Sequence, residues 1–239
     1  MHLTRKSRDF SGGVARLWKQ PDAARGYSTG VSLHGHTLHS RESLDFIPRV
    51  FAKLPFAGAA LDALSARRRR QSGYTISFAR AFWRPPLHAH AAHDLEAAQI
   101  RQTLEMNPIV ALTGHDDLEA CADLHAIGIP VPYALEWTVP FEGTIFHLGI
   151  YNLPPDDARS FARAMAGCTS QPSSQSSPRL LRELLAELDA IPDALIVLNH
   201  PLCCEFRIER AAHVALLQRF LKLHGARMHA LELNGLQPA

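Results

Sequence analysis

The chain has 239 residues, enough for one sizeable α/β domain. Hydrophobic residues make up 46% and charged residues 20%, which excludes a disordered or fibrous protein. With 25 basic against 23 acidic residues the formal net charge is +2, and this gives no general case for binding nucleic acid or a membrane surface.

Cys121, Cys168, Cys203 and Cys204 form no CxxC pair, and the adjacent Cys203-Cys204 is poor spacing for a disulfide or a zinc site. A reducing cytoplasm is the simplest home for such a chain. Met1 to Phe10 is polar and charged, unlike a signal peptide. No run approaches the roughly 20 apolar residues of a membrane-spanning helix. The expectation is a soluble cytoplasmic protein.

Residues 1–30 read as an irregular arm, with Phe10 and Trp18 covering one end of the fold, and residues 31–239 as the domain itself. Val31 and Leu33 open a short strand. His34 and His36, two apart, share one of its faces, as two ligands of a divalent metal would. Leu44 to Val50 is broken by Pro48. Residues 51–71 have helical spacing, with Pro55 weakening the start and Arg67-Arg68-Arg69-Arg70 forming a solvated end. Residues 72–93 read as a loop region in which Arg80 and Arg84 flank aromatic residues, followed by His88, His90 and His93 as exposed or capping histidines.

Asp94 to Leu104 is a helix, and Ile109 to Thr113 a buried strand leading into Gly114-His115-Asp116-Asp117. Leu118 to Ile127 is a helix. Val131 to Trp137 and Thr144 to Tyr151 are strands that can pair across Glu142-Gly143; they carry Glu136 and His147. Ala158 to Met165 is a helix, followed by a Ser/Gln-rich loop at about 168–178 that is too polar to order itself. Leu180 to Leu188 is an amphipathic helix, Ala194 to Leu198 a strand ending at Asn199-His200-Pro201, and Glu209 to Leu223 a helix capped by Gly225. Met228 to Leu233 is the last strand and contains Glu232.

Most of these histidines and acids lie at or beyond the ends of strands separated by helices, the arrangement in which α/β folds build their sites. His34, His36, His115, Glu136, His147 and His200 together are therefore expected to form one multi-metal cluster. Nucleophile motifs offer little competition: there is no GxSxG and no GxxxxGK[ST], and no GxGxxG follows a strand.

The ordered set resembles the PHP (polymerase and histidinol phosphatase) family of metal-dependent phosphoesterases. Leu33-His34-Gly35-His36-Thr37 with Ser40 is similar to its first motif and Leu112-Thr113-Gly114-His115-Asp116 to its second. Leu135-Glu136 with His147, and then His200-Pro201, resemble the third and fourth. The resemblance implies a distorted (β/α)7 TIM-like barrel holding two or three divalent ions of zinc, manganese or iron. It implies His34 and His36 on one metal, Glu136 bridging to a second held by His147 and His200, and His115 on a third.

Arg41 stands where the family often has Asp, leaving Glu42 as the nearest substitute ligand, and Gly114 replaces an Asp. The family closes with Asp-x-His. No Asp or His follows His229 here, so the resemblance also implies a barrel incomplete at its C-terminus.

The implied reaction is hydrolysis of a phosphate ester by metal-activated water. Arg80 or Arg84 would clamp a phosphoryl oxygen or simply be solvated. Asp116 would orient a ligand, shuttle a proton or cap the following helix. The substrate would be a phosphorylated small molecule or nucleotide; a nucleic-acid end stays open but is not indicated by charge. The competing expectation is a catalytically degenerate PHP-like binding or regulatory protein, or a non-functional fragment without the final Asp-x-His.

Overall fold

The computed structural model describes residues 26–54, 56–75, 77–78, 81–169, 178–203 and 208–232. Phe10, Trp18, Arg80 and most of the Ser/Gln-rich loop lie outside the described residues. The fold is mixed α/β, built on one four-stranded and two two-stranded sheets, none of them closed.

Strand β1 (Thr29–Ser32) runs parallel to β4 (Asn107–Val110), with Val31 opposite Ile109. Helix α3 (Ala89–Leu104) packs on this pair. Gly30 allows the close approach, since a Cβ there would lie 2.6 Å from Ile100 Cγ2. Between β1 and β4 come the two-residue strands β2 (Glu42–Ser43) and β3 (Phe82–Trp83), which pair antiparallel with Glu42 opposite Trp83. Residues 82–83, expected in a loop, are thus an edge pair. The helix expected over 51–71 is two helices, α1 (Ile47–Lys53) and α2 (Ala57–Ser72). They part at Leu54, which is extended because Pro55 follows it. Pro48 does not break α1; it sits in the first turn, where no donor is lost.

The second half carries most of the core. Strands β5 (Leu135–Phe141) and β6 (Thr144–Tyr151) form a hairpin whose two turn residues, Glu142 and Gly143, both have positive φ. β6 pairs antiparallel with β7 (Leu195–Asn199), and β7 pairs parallel with β8 (Ala230–Leu231). Helices α5 (Ala158–Thr169), α6 (Pro178–Asp189) and α7 (Arg210–His224) cover one face of this sheet. Trp137, Leu148, Met165, Leu185, Leu188, Ile196, Leu198 and Phe220 are fully buried there. Leu185→Ala is expected to lower unfolding free energy by about 2–5 kcal/mol, read by urea denaturation; an unchanged midpoint would contradict this packing. Helix α4 (Glu119–Ala126) packs with α3 beside β4. Gly225 is not a left-handed cap: at φ −59° it carries α7 into a 3₁₀ turn.

The expected (β/α)7 barrel does not form. A two-residue turn between β5 and β6 leaves no room for a crossover helix and makes that pair antiparallel, and β6 also runs antiparallel to β7 despite the two helices between them. β8 is two residues long and, among the described residues, ladders to β7 alone. Among the described residues, the segment after β4 meets the larger sheet through an isolated bridge, His115 to Glu136.

Candidate metal centre

The chain ends of this open layer bring the polar residues to one point. β1 stops at Ser32 rather than running on through the histidines, and the chain carrying His34 and His36 past it stays beside the exit of β4, where the Thr113 N–H donates to the Gly35 carbonyl at 2.8 Å and Gly35 fits against Leu112. His115 follows β4 and is fixed by the bridge to Glu136, whose N–H donates to the Gly114 carbonyl at 2.9 Å. Glu136 is the second residue of β5 rather than near the end of its strand, as the sequence suggests. His147 lies within β6, opposite Asn199 of β7, and His200 follows β7 directly.

Glu136 is the hub, with a side chain 0% exposed. Its Oε2 faces His34 Nε2 at 3.3 Å, His36 Nε2 at 3.3 Å and His115 Nδ1 at 3.4 Å. Its Oε1 faces His200 Nε2 at 3.1 Å and His147 Nδ1 at 3.7 Å, and accepts from Asn199 Nδ2 at 3.0 Å. The five imidazoles close a ring about this carboxylate. Successive ring centroids lie 4.9 Å apart for His34–His36, 4.8 Å for His36–His115, 5.2 Å for His115–His147, 5.0 Å for His147–His200 and 5.7 Å for His200–His34.

Such a ring has the donor set of a cation site. Two protonated rings at about 5 Å repel by roughly 3 kcal/mol at an effective dielectric near 20. One Glu136 charge cannot offset several such pairs. Neutral rings can share a proton instead: His34 Nε2 and His36 Nε2 lie 3.0 Å apart, where one ring's N–H can donate to the other's lone pair. Ligands set tetrahedrally at about 2.0–2.1 Å from zinc lie about 3.3 Å from one another, close to the separations around Glu136 Oε2. Four overlapping groups have the ligand atoms to hold a metal: His34, His36 and Glu136; Glu136, His147 and His200; His36, Glu42 and His115; and His34, His200 and Glu232.

Protonation follows the same geometry. Burial would raise Glu136, but hydrogen bonds from His200, His34 and His36 hold it well below the usual carboxylate range. Burial lowers His34 and His115, yet the facing carboxylates win and raise both. His200 is pushed up to about 10: burial works against this, and hydrogen bonds with Cys203 and Glu136 overcome it.

Glu42 is brought into the centre by the β2–β3 pair. Its Oε1 accepts from His115 Nε2 at 3.0 Å and lies 4.0 Å from His36 Nδ1. His36 Nδ1 is 3.0 Å from the buried Ser40 hydroxyl, which fixes the ring. Asp116 sits at φ 57°, and its Oδ1 accepts from the Thr138 N–H at 2.8 Å and lies 3.2 Å from the Thr169 hydroxyl. It does not cap α4; Asp117 accepts the Glu119 N–H at 3.1 Å instead. Burial pushes the Asp116 carboxyl up. At Gly114 a Cβ would lie 2.5 Å from Asp117 Oδ1, so the Asp found there in the resembled family has no room unless Asp117 moves.

His90 and His93 stay outside the centre, beside Asp94. His88 is the N-cap residue of α3 but makes no side-chain cap bond. The residue the sequence reading leaves out of the site is Glu232, whose Oε2 lies 3.0 Å from His34 Nδ1. A lone acid after a weak strand carries no spacing signal; only the β7–β8 ladder places it.

The centre opens into a cavity of about 950 Å³ whose lining includes Phe46, Trp83 and Ile145, with Arg41 the only Lys or Arg among its described lining residues. No family model and no curated protein matches this chain. Among the described residues, no helix is long and apolar enough to cross a membrane.

Proposed function

We propose that this protein is a metal-dependent phosphoesterase acting on phosphorylated small molecules or nucleotides, with the PHP-like order of its motifs as sequence support. The observation that carries the reading is the division of Glu136, one oxygen facing His34, His36 and His115 and the other facing His147 and His200. A buried carboxylate so divided suits a bridge between two ions, and Glu42 with His36 and His115 suits a third. Zinc, manganese and iron all accept such donors. Bound ions would supply hydroxide near neutral pH and neutralise charge on phosphoryl oxygens.

The chain's own residues do the rest. Glu136 and the imidazole ring fix the donor positions. Asp116, anchored through Oδ1 by the Thr138 N–H, stands at the cavity wall, where burial raises its carboxyl. Arg41 offers positive charge to an anionic substrate. Trp83 lies directly across the β2–β3 ladder from Glu42, so it shares that face of the pair and offers a flat leaving group an apolar surface. Nucleic-acid ends fit the same chemistry, without support from net charge. The buried thiols Cys121 and Cys168 suit a reducing cytoplasm.

The test is to load the protein with zinc or manganese, remove unbound ion, and measure metal content and hydrolysis of p-nitrophenyl phosphate and bis-p-nitrophenyl phosphate. Two or more ions per chain, and turnover lost in His36→Ala, are expected. No metal above background would end this reading. Metal without turnover on any phosphate ester would replace it with a metal-holding binding module, the reading favoured by Arg41 in place of the family's acid.

A further inference from the structure

The geometry points to Glu232 as a positioning residue that holds the proton of His34 on Nδ1 and pins the turn at His200, so that both rings present Nε2 to Glu136. The inference rests on the metal-centre reading above and adds a residue to it. The β7–β8 ladder pairs Leu198 with Leu231, and the Glu232 N–H donates to the Leu198 carbonyl at 2.9 Å. Glu232 therefore stands beside the chain leaving β7. Its Oε2 accepts from His34 Nδ1 at 3.0 Å and from the His200 backbone N–H at 3.1 Å.

A carboxylate at Nδ1 can only accept. A neutral His34 must then carry its single proton there, and Nε2, 3.3 Å from Glu136, is left with the lone pair a metal needs. His200 has φ 28°, a conformation that non-glycine residues adopt only under tertiary constraint. Three contacts supply that constraint: the bond to Glu232, the Cys203 N–H donating to the His200 carbonyl at 2.8 Å, and the buried His213 Nε2 donating to the Pro201 carbonyl at 2.8 Å.

Glu232 also has the reach to be a ligand itself with His34 and His200. The geometry favours the positioning role. Its Oε2 already has two N–H donors, and ligation through His34 Nδ1 would turn that ring's lone pair away from Glu136. The role joins the exit of β8 to the exits of β1 and β7, where no backbone ladder runs between β8 and β1 among the described residues.

The experiment compares wild type, Glu232→Ala and Glu232→Gln, each checked by thermal melting, in zinc titration and in ¹H–¹⁵N spectra of ¹⁵N-histidine-labelled protein. In wild type, metal-free and zinc-loaded, a downfield Nδ1–H signal assigned by its loss in His34→Gln is expected. Glu232→Ala should lose that signal and bind zinc about 10–100-fold more weakly with the same number of ions. Glu232→Gln keeps an acceptor oxygen and should retain the signal and recover most of the affinity. The inference is overturned if Glu232→Ala keeps signal and affinity, or if both variants bind one zinc fewer, which would make Glu232 a ligand. If wild type binds no zinc, the metal-centre reading fails, while the His34 signal in the metal-free protein still decides the role of Glu232. That signal also decides it should Glu232→Ala not fold.

Discussion

Glu136→Gln is expected to leave less than one tightly held ion per chain and to weaken metal binding by well over the roughly 100-fold that loss of an outer-shell partner costs. The substitution keeps the shape and an oxygen for the Asn199 amide, which approaches Oε1 at 3.0 Å. It removes the one negative charge that all five imidazoles face. Both candidate ions nearest the hub lose a ligand at once, so hydrolysis should disappear with the metal. The metal-free variant should also be less stable near pH 6 by about 3–5 kcal/mol, because protonated rings then lack their buried partner. Elemental analysis after desalting and a urea titration at pH 6 read the two effects. Wild-type metal content in this variant would remove Glu136 from the centre.

Metal uptake should strengthen steeply with pH. In the metal-free protein burial pulls His34, His115 and His200 down, but their carboxylate partners, and Cys203 for His200, raise all three above 6.5, His200 to about 10. The folded chain then binds more protons than the unfolded one at neutral pH. The stability these rings contribute is complete below pH 6.5 and is lost as pH rises through the raised values. Glu136 and Glu42 are shifted the other way: burial raises them, the imidazoles lower them further, and their contribution is present above 4.5 and lost as pH falls. The metal-free protein should thus be most stable between these limits and weaken toward alkaline pH.

A metal reverses that trend. It binds deprotonated ligands, so each proton that must leave adds about one decade of affinity per pH unit. Competition titrations with a chromophoric chelator at pH 6, 7 and 8 should show a slope between one and three decades per unit, and calorimetry in buffers of different ionisation enthalpy should show proton release. A pH-independent affinity would mean that these rings are not the ligands.

The histidines and Glu136 could be read from sequence because the cues were local. His34 and His36 are two apart in an extended stretch, and His115, Glu136, His147 and His200 each lie in or beside an apolar strand run. Position along a strand is not written locally, since Glu136 is the second residue of β5 and β1 stops short of His34, but that a strand run is present is written within a few residues. The same holds for the hairpin about Glu142-Gly143 and for α6, whose leucines recur at helical spacing. Asp116 and Asp117 show the limit. The sequence leaves Asp116 free to cap α4, and the Thr138 N–H at 2.8 Å with the Thr169 hydroxyl at 3.2 Å draws it away into the cavity wall.

By itself, then, the sequence determined most of the helices and longer strands and which histidines and Glu136 stand near strand runs, since periodicity and residue type are local properties. It did not determine how the sheets close. That depends on pairing between distant strands, and the short β8, the antiparallel β6 and the isolated His115–Glu136 bridge yield an open layer where the motifs implied a barrel. Only the tertiary structure split Glu136 between two sets of imidazoles, set Glu42 against His115, and placed Glu232, 198 positions from His34, within hydrogen-bond reach of it. Contacts at such separation leave no periodic trace, because they are decided by register across the sheet rather than by spacing along the chain.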